Sequence, residues 1–370
     1  MTWLLMTGIS IVALLIYLFY LQLFYRGIKN GTDLITYRKP FVSVIVAARN
    51  EERNIVRLLT VLVNQSYSNK LYEIIIANDG STDKTEELIN QFSQKWNNLH
   101  LVNVYGRENV TSPKKNALSQ AIAKARGEII LTTDADCIMS KYWLESMLPN
   151  FEDADMVIGY SRTQITQWDQ ANSAQKFEHF DFAAMFLAAA GAIVNNRYFS
   201  CSGQNLAYRK SAFEYVGGFE KIKHLISGDD VNLMQLFRKA NLTIRFAFNP
   251  HSFVFTHPID NWQQLFNQRG RWASNMKWQL GLNPEFFIYL SSAFLIVIMP
   301  YILLFKYWWV ALFIVVTRII GEFRFLKIGF NKFAEEKNRL NFYLLWFILQ
   351  PVYFIVVAFK GAIDQFSWKK

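Results

Sequence analysis

Apolar positions along this chain fall into two regimes. Residues 2–25 form an uncharged run of mostly Leu, Ile, Phe, Tyr and Val, about the ~20 residues that a membrane helix needs. The C-terminal third repeats the pattern: residues 286–305 are uncharged, 307–321 are broken only by Arg318, and 340–359 are uncharged again. Residues 40–282 behave differently, as short apolar runs separated by polar turns. Residues 41–48 (FVSVIVAA) read as a buried strand. Ile55, Leu58, Leu59, Leu62 and Val63 then follow at helical spacing. The series continues with a strand over 73–77, a helix holding Leu88 and Ile89, a strand over 101–104, a helix over 116–125, and a strand over 128–133 that ends at Asp134. Alternating strands and helices predict a parallel, doubly wound sheet.

The flanks of the apolar runs set a topology. Arg26, Lys29, Arg38 and Lys39 come after the first run, and no Ala-x-Ala follows; a signal peptide has its basic residues before the apolar stretch. The run reads as a retained transmembrane helix, with the following residues in the cytoplasm. Residues 324–339 are polar and basic and read as a cytoplasmic loop, so 286–305 goes out and 307–321 returns. The last segment contains Gln350-Pro351 and ends in Trp368-Lys369-Lys370. A basic tail favours the cytoplasm, whereas a full crossing puts it outside, so this segment reads as spanning, re-entrant or interfacial. Residues 177–194 mix His179 and Asp181 with Phe182, Met185, Phe186 and Leu187. They read as an amphipathic helix at the membrane interface or as a plain core helix. The resulting organisation is a transmembrane helix at 2–25, a cytoplasmic domain at 40–282 and a membrane region at 286–360 with two to three segments.

Composition narrows the class. The chain has 370 residues, 52% hydrophobic and 18% charged, which excludes a disordered chain. Two cysteines exclude a disulfide scaffold and a four-thiolate zinc site. The net charge of +10 suits phosphate-bearing ligands, an anionic membrane or nucleic acid. Basic residues cluster beside the apolar runs, which weighs against a nucleic-acid partner.

Ligands of doubly wound sheets bind beyond the carboxyl ends of the strands. Asp134-Ala135-Asp136 stands at such an end, where two carboxylates can share Mg2+ or Mn2+ and the diphosphate it holds; in isolation the pattern is a common solvated turn. Asp79 in Ala77-Asn78-Asp79-Gly80-Ser81 can accept from a base N–H or cap the next helix, a role Ser81 or Asp83 could also fill. Lys114 and Lys115, just before a helix, can meet phosphate or base oxygens, or form a solvated pair. Gly228-Asp229-Asp230 opens a helix, as a capping pair or as a general base. In Gln268-Arg269-Gly270-Arg271-Trp272, Arg can clamp a diphosphate and Trp272 can stack on a sugar, or the group is an interfacial Arg/Trp belt. His251 and His257 could serve the diphosphate or metal, or be structural.

The series FVSVIVAARNEE, IIIANDGSTD, KKNALSQAIAKARGEIILTTDAD, GDDVNL and QRGRW, in this order between apolar segments, resembles the membrane-bound family 2 glycosyltransferases. The subgroups it is most similar to are ceramide-glucosyltransferase-like enzymes and the hyaluronan, chitin, cellulose and poly-N-acetylglucosamine synthases. The resemblance covers roughly residues 40–280. It implies an α/β GT-A (nucleotide-diphospho-sugar transferase) domain with transmembrane helices at both ends, and inverting transfer from a UDP-sugar. It further implies that Asp79 contacts uracil, with Ala48, Asn50 and Glu51 also on the nucleotide. Lys114 takes the place of the lysine in the family's Lys-Ala-Gly-Ala-Leu run, although Lys115-Asn116 departs from the usual residues. Asp134 and Asp136 become the diphosphate and metal pair, and Asp230 the catalytic base with Asp229 before it. Gln268, Arg271 and Trp272 fall at the acceptor and diphosphate side. Gly203 and Gln204 lie where related enzymes place a donor-sugar and acceptor wall. Expected partners are a UDP-sugar, a lipid or glycan acceptor and membrane lipids. A lipid acceptor on the cytoplasmic face is the first expectation, because polymer synthases build a channel from more helices. A processive polysaccharide synthase is the alternative, favoured by the Gln-x-x-Arg-Trp pattern. A non-catalytic nucleotide-binding scaffold is disfavoured by the intact metal pair and base.

Overall fold

The computed structural model describes residues 1–36, 38–106, 110–274 and 276–363. The tail at 368–370, whose charge weighed on the topology, lies outside the described residues. The chain forms two compact units, each discontinuous: Thr32–Gln164 with Ser200–Pro258, and Met1–Gly31 with Ile165–Phe199 and the stretch from Ile259 onward.

The first unit is the α/β domain. Its strands β1 (Val42–Ala48), β2 (Tyr72–Asn78), β3 (Leu99–Asn103) and β4 (Ile129–Asp134) run parallel. Helices α2 (Ile55–Val63), α3 (Thr85–Ser93) and α4 (Pro113–Lys124) connect them. Val42, Val44, Ile45 and Val46 are fully buried, as are Ile74 and Ile76, because helices cover a parallel sheet on its faces. Leu58, Leu59 and Leu62 bring the apolar side of α2 into the same core. Beyond β4 the order is β4-β8-β6-β9, with β6 (Met156–Gly159), β8 (Leu206–Arg209) and β9 (Ile244–Ala247) completing a seven-stranded sheet. Here the sheet departs from the expected all-parallel arrangement, because β8 is antiparallel to both β4 and β6. These strands are four residues long, too short for a two-residue period to register. A second sheet of β5 (Ile138–Met139), β10 (Val254–Thr256) and β7 (Ser161–Thr163) lies in the same unit. Short helices α5 (Trp143–Met147) and α7 (Lys210–Tyr215), with α8 (Val231–Lys239), complete it.

The second unit is helical: α1 (Thr2–Asn30), α6 (Ser173–Val194), α9 (Trp262–Ser274), α10 (Met276–Leu282), α11 (Pro284–Leu303), α12 (Trp308–Lys332) and α13 (Tyr343–Ala362). Among the described residues, α1, α6, α11 and the stretch Lys337–Ala362 are long and apolar enough to cross a membrane. One of the two readings of α6 is selected, and one expectation changes. The apolar window of α6 is 72% buried, against 17% for Lys337–Ala362, so α6 is the core helix and not a surface-lying amphipathic one. Its polar residues are absorbed internally: His179 stands 3.3 Å from Glu335, and Asp181 3.0 Å from Arg269. The stretch 324–339 is not simply a loop, because α12 runs unbroken to Lys332. Arg318 is accommodated by its helical neighbour Glu322, 3.0 Å away, and by Gln350, 2.6 Å away. Tyr17 and Tyr343 donate to Glu322 at 2.8 and 3.2 Å. A charge pair enclosed among apolar helices persists only when its hydrogen bonds are filled in this way.

Helices α1 and α6 approach until their backbones touch. A Cβ on Gly191 would stand 2.4 Å from the Phe24 carbonyl oxygen, and one on Gly27 would stand 2.1 Å from that of Gly191. Asn195 seals the crossing by donating to Leu23 O at 3.0 Å. Small residues permit such contact between apolar helices. Gly191→Ala and Gly27→Ala should each lower the thermal unfolding midpoint in detergent, reflecting overpacking of about 1–3 kcal/mol. Gly8→Ala, where a Cβ meets nothing within 4 Å, should not lower it, because alanine is the better helix former. An unaltered midpoint for Gly191→Ala would contradict the crossing.

Candidate active site

Register places the carboxyl ends of β1, β2 and β4 side by side, with Ala47 opposite both Ala77 and Asp134, and Ala48 opposite Asn78. Asp79 follows at once, its amide donating to Ala48 O at 2.9 Å. Asp79 is buried, and this burial pushes its carboxyl up, an effect that Arg49 opposes. Capping near α3 falls to other residues. Asp83 accepts from Thr85 N at 3.0 Å, and Asn78 Oδ1 accepts from Ser81 N at 3.1 Å. Asn50, at φ 53°, ties this turn to β1 by accepting from Thr82 N at 2.8 Å. The Glu51 amide donates to Thr85 Oγ1 at 2.8 Å, and its side chain accepts from Asn54 at 2.7 Å. Ala48, Asn50, Glu51 and Asp79 therefore form one laced rim at the sheet edge.

A second group gathers around Lys114. Ser112 caps α4 and Pro113 occupies its first turn, fixing where the lysines point. The Lys114 ammonium lies 2.8 Å from Asp134 and 3.3 Å from Asp229. Burial opposes its charge, but Asp134 and Asp229 prevail and raise its pKa. Asp230 caps α8, and its other carboxylate oxygen accepts from the Gly203 amide at 2.9 Å. Thr132 on β4 holds the Gly203 carbonyl at 3.3 Å. A Cβ on Gly203 would come within 3.1 Å of Asp229 and 3.4 Å of Lys114, so this turn is the wall of the carboxylate cluster. The neighbouring Gln204 has its side-chain oxygen buried without a partner among the described residues.

The adjacent acids are driven apart. Burial raises Asp229, but Lys114 and Lys115 outweigh it and leave its carboxyl below the ordinary value. Burial and the charge of Asp229 push Asp230 up to about 6. Two carboxyls of opposite tendency side by side are the arrangement expected of an acid–base site.

Asp136 faces other partners. Its carboxylate accepts from Thr256 at 3.2 Å, and its carbonyl accepts from Arg57 at 3.2 Å. Arg57 also lies 2.7 Å from His257 Nε2. His251 sits apart, 3.3 Å from Ser140 and against the Tyr142 ring. Among the described residues no three His, Cys, Asp or Glu side chains are grouped to hold a metal. Magnesium and manganese commonly take one or two carboxylates and complete their shell with water and substrate phosphates. The donor set Asp134 and Asp136 fits that mode.

Gln268, Arg271 and Trp272 lie on α9 in the helical unit. Their spacing of three and four residues puts them on one face. Gln268 Oε1 accepts from Arg269 at 2.9 Å, and Trp272 stacks on Phe182 with ring centroids 5.9 Å apart. The intervening Arg269 is buried, paired with Asp181 and lying 4.2 Å over the Trp272 ring. Arg57 and Thr256 escaped sequence reading, since their partners are 79 and 120 residues away; Arg269 is legible within its motif, but its pairing with Asp181, 88 residues away, is not.

Residues 43–217 match the family model "Glycosyl transferase family 2". The chain carries a family 2 glycosyl transferase domain. It is 30% identical over 237 residues to "Probable glycosyltransferase YdaM" of Bacillus subtilis, covering 63% of this chain and 54% of that protein. It is 27% identical to "Glycosyltransferase AglE" of Haloferax volcanii, covering 64% and 73%. It is 29% identical to "Beta-monoglucosyldiacylglycerol synthase" of Nostoc, covering 63% and 48%. The chain thus spans about half the length of the Bacillus and Nostoc relatives. Among solved structures, a mannosyltransferase of Pyrobaculum calidifontis superposes with a TM-score of 0.63 at 19% identity, covering 97% of this chain and 99% of that one. This likeness shows the GT-A fold.

The elevated Asp230 has a sign that can be checked. Its folded value of about 6 exceeds the unfolded ~3.9, so the folded state holds that proton more tightly. Stability from this group is fully present below pH ~4 and is lost as pH rises through about 6. Asp230→Asn, whose amide oxygen can still accept from Gly203, should raise the unfolding midpoint above pH ~7, and the gain should vanish near pH ~4. An equal gain at both pH values would refute the assigned direction.

Proposed function

We propose that this chain transfers a sugar, with inversion, from a UDP-sugar to a lipid acceptor at the cytoplasmic face of a membrane. The observation that carries this reading is the placement of Asp230, held by the Gly203 amide next to Asp229 and the Lys114-bridged carboxylates at the sheet edge, where burial and the charge of Asp229 push its carboxyl up. A base poised near the working pH abstracts protons most effectively.

In this reading the laced rim of Ala48, Asn50, Glu51 and Asp79 receives the nucleotide. Asp134 and Asp136 would hold Mg2+ or Mn2+; the Pyrobaculum protein is described in complex with GDP-Man and Mn2+. Such an ion supplies charge neutralisation on a departing diphosphate. Asp230 takes the proton of an acceptor hydroxyl while its oxygen attacks the anomeric carbon. The bond from that carbon to the diphosphate oxygen breaks, and UDP leaves with the electron pair. Asp229, ionised against Lys114, orients its neighbour. Gly203 and Gln204 wall the sugar and acceptor, and Gln268, Arg271 and Trp272 serve the acceptor and diphosphate. The lipid acceptor is supported by the relatives named beta-monoglucosyldiacylglycerol synthase and dolichyl-phosphate beta-glucosyltransferase. It is also supported by the four helices that, among the described residues, are long and apolar enough to cross a membrane. The cytoplasmic face and a multi-pass arrangement are supported by the basic residues after α1 and by those between the C-terminal apolar runs.

Purified protein should be incubated with labelled UDP-glucose, UDP-galactose and UDP-N-acetylglucosamine plus native lipid extract. Label entering the organic phase is expected; label in a polymer would favour the polysaccharide-synthase alternative, and no UDP release would defeat both. EDTA should abolish transfer and manganese or magnesium restore it, with Asp136→Ala not rescued. Asp230→Asn should bind UDP normally yet lose about 10²–10⁴-fold in rate, and Asp229→Asn should lose less.

Topology has its own measurement. Cys137 and Cys201 are buried, so a cysteine placed at exposed Asn69 reports alone. An impermeant reagent added to intact cells should miss it. Strong external labelling would overturn the cytoplasmic assignment.

A further inference from the structure

Two consecutive lysines open α4, and only the first meets the carboxylates directly. Lys115 is buried, 2% exposed. Its ammonium donates to Ser227 O at 3.1 Å and to Leu225 O. Both carbonyls belong to the segment that runs into Gly228-Asp229-Asp230. Gly228 at φ 77° turns that segment into α8, and a Cβ there would stand 2.3 Å from Asn232.

A buried lysine is an expensive way to fill space, because almost every buried lysine needs partners for its charge. Packing alone does not account for it, whereas a cation with three N–H donors can gather two carbonyls that no side chain of Ala size could reach. Its charge also favours the ionised form of Asp229. Burial pushes Lys115 down to about 8, which still leaves it protonated for the most part at pH ~7.

We propose that Lys115 is a positioning residue: by clasping the carbonyls of Leu225 and Ser227 it fixes the segment that presents Asp229 and Asp230. The proposal rests on the reading of Asp230 as the base. Lys114 sets the charge of the pair and Lys115 sets its place. Misplacing a reacting group by about 1 Å can cost on the order of 10²-fold in rate, so the clasp acts on turnover more than on nucleotide binding, which uses the other rim of the sheet.

The test compares full-length wild type with Lys115→Met, which keeps the length and removes the N–H groups, and with Lys115→Arg, which keeps charge and donors. Hydrogen exchange is read on residues 225–231 and on β1 to β4, alongside UDP affinity and sugar transfer. Lys115→Met should speed exchange in 225–231 by about tenfold or more while the strands stay protected. Its UDP affinity should hold within about threefold, and kcat should fall about 10–100-fold. Lys115→Arg should recover most of the loss. If Lys115→Met does not fold, Lys115→Gln takes its place; its shorter amide should show the same faster exchange and at least a roughly tenfold drop in kcat. Unchanged exchange in 225–231, unchanged kcat, or a loss matched by UDP affinity overturns the proposal. A wild type that transfers no sugar refutes the general-base reading instead, and the exchange measurement still decides whether the clasp exists.

Discussion

One ammonium, that of Lys114, stands between the carboxylate that ends β4 and the carboxylate that precedes α8. Without it Asp134, Asp229 and Asp230 would face one another across a partly enclosed space, and like charges close together cannot all remain ionised. With it, Asp134 and Asp229 each have an ionic partner, and Asp230 is the acid that burial and the charge of Asp229 push up. The asymmetry between neighbouring acids is thus made by a cation held on a third element. That element is placed by ordinary means, a Ser112 cap and a proline in the first helical turn.

The same logic separates what could be read from residues alone from what could not. Strands β1 to β4 and helices α2 to α4 are legible because each carries enough apolar residues in register to declare its period. Lys114, Asp134 and the Asp229–Asp230 pair are legible because they sit at strand ends and helix starts, where local pattern already marks a ligand edge. Strands β6, β8 and β9 are too short to carry a period, so the antiparallel insertion of β8 is set by its neighbours. Arg57 and Thr256 have no local signal at all, since what makes them notable is contact with Asp136 across long stretches of chain.

Misreadings in the helical unit have a single cause. Hydropathy counts charges and does not see pairs. Residues 307–321 looked like a returning span interrupted by Arg318, and the polar residues of 324–339 looked like a loop. In the fold Arg318 and Glu322 are one helical turn apart and satisfied by Gln350, Tyr17 and Tyr343, so the helix continues. His179 and Asp181 gave α6 an amphipathic look, yet each has an ionic neighbour within the unit. Sequence gives the cost of such a charge, and only the fold gives its compensation.

Lys114 and Lys115 show how finely that distinction cuts. Successive residues on a helix point about 100° apart, so adjacent and chemically identical side chains leave α4 in different directions. One reaches the carboxylates of β4 and the Asp229 turn; the other reaches backbone carbonyls before Gly228. The first is driven toward stronger basicity by the acids around it, and the second is pushed down to about 8 by burial. Exchanging their environments would require only a one-residue slip of α4, and Ser112 at the cap with Pro113 after it is what forbids that slip. The register of a single helix start therefore decides which lysine sets the charge of the acidic pair and which holds the chain that carries it.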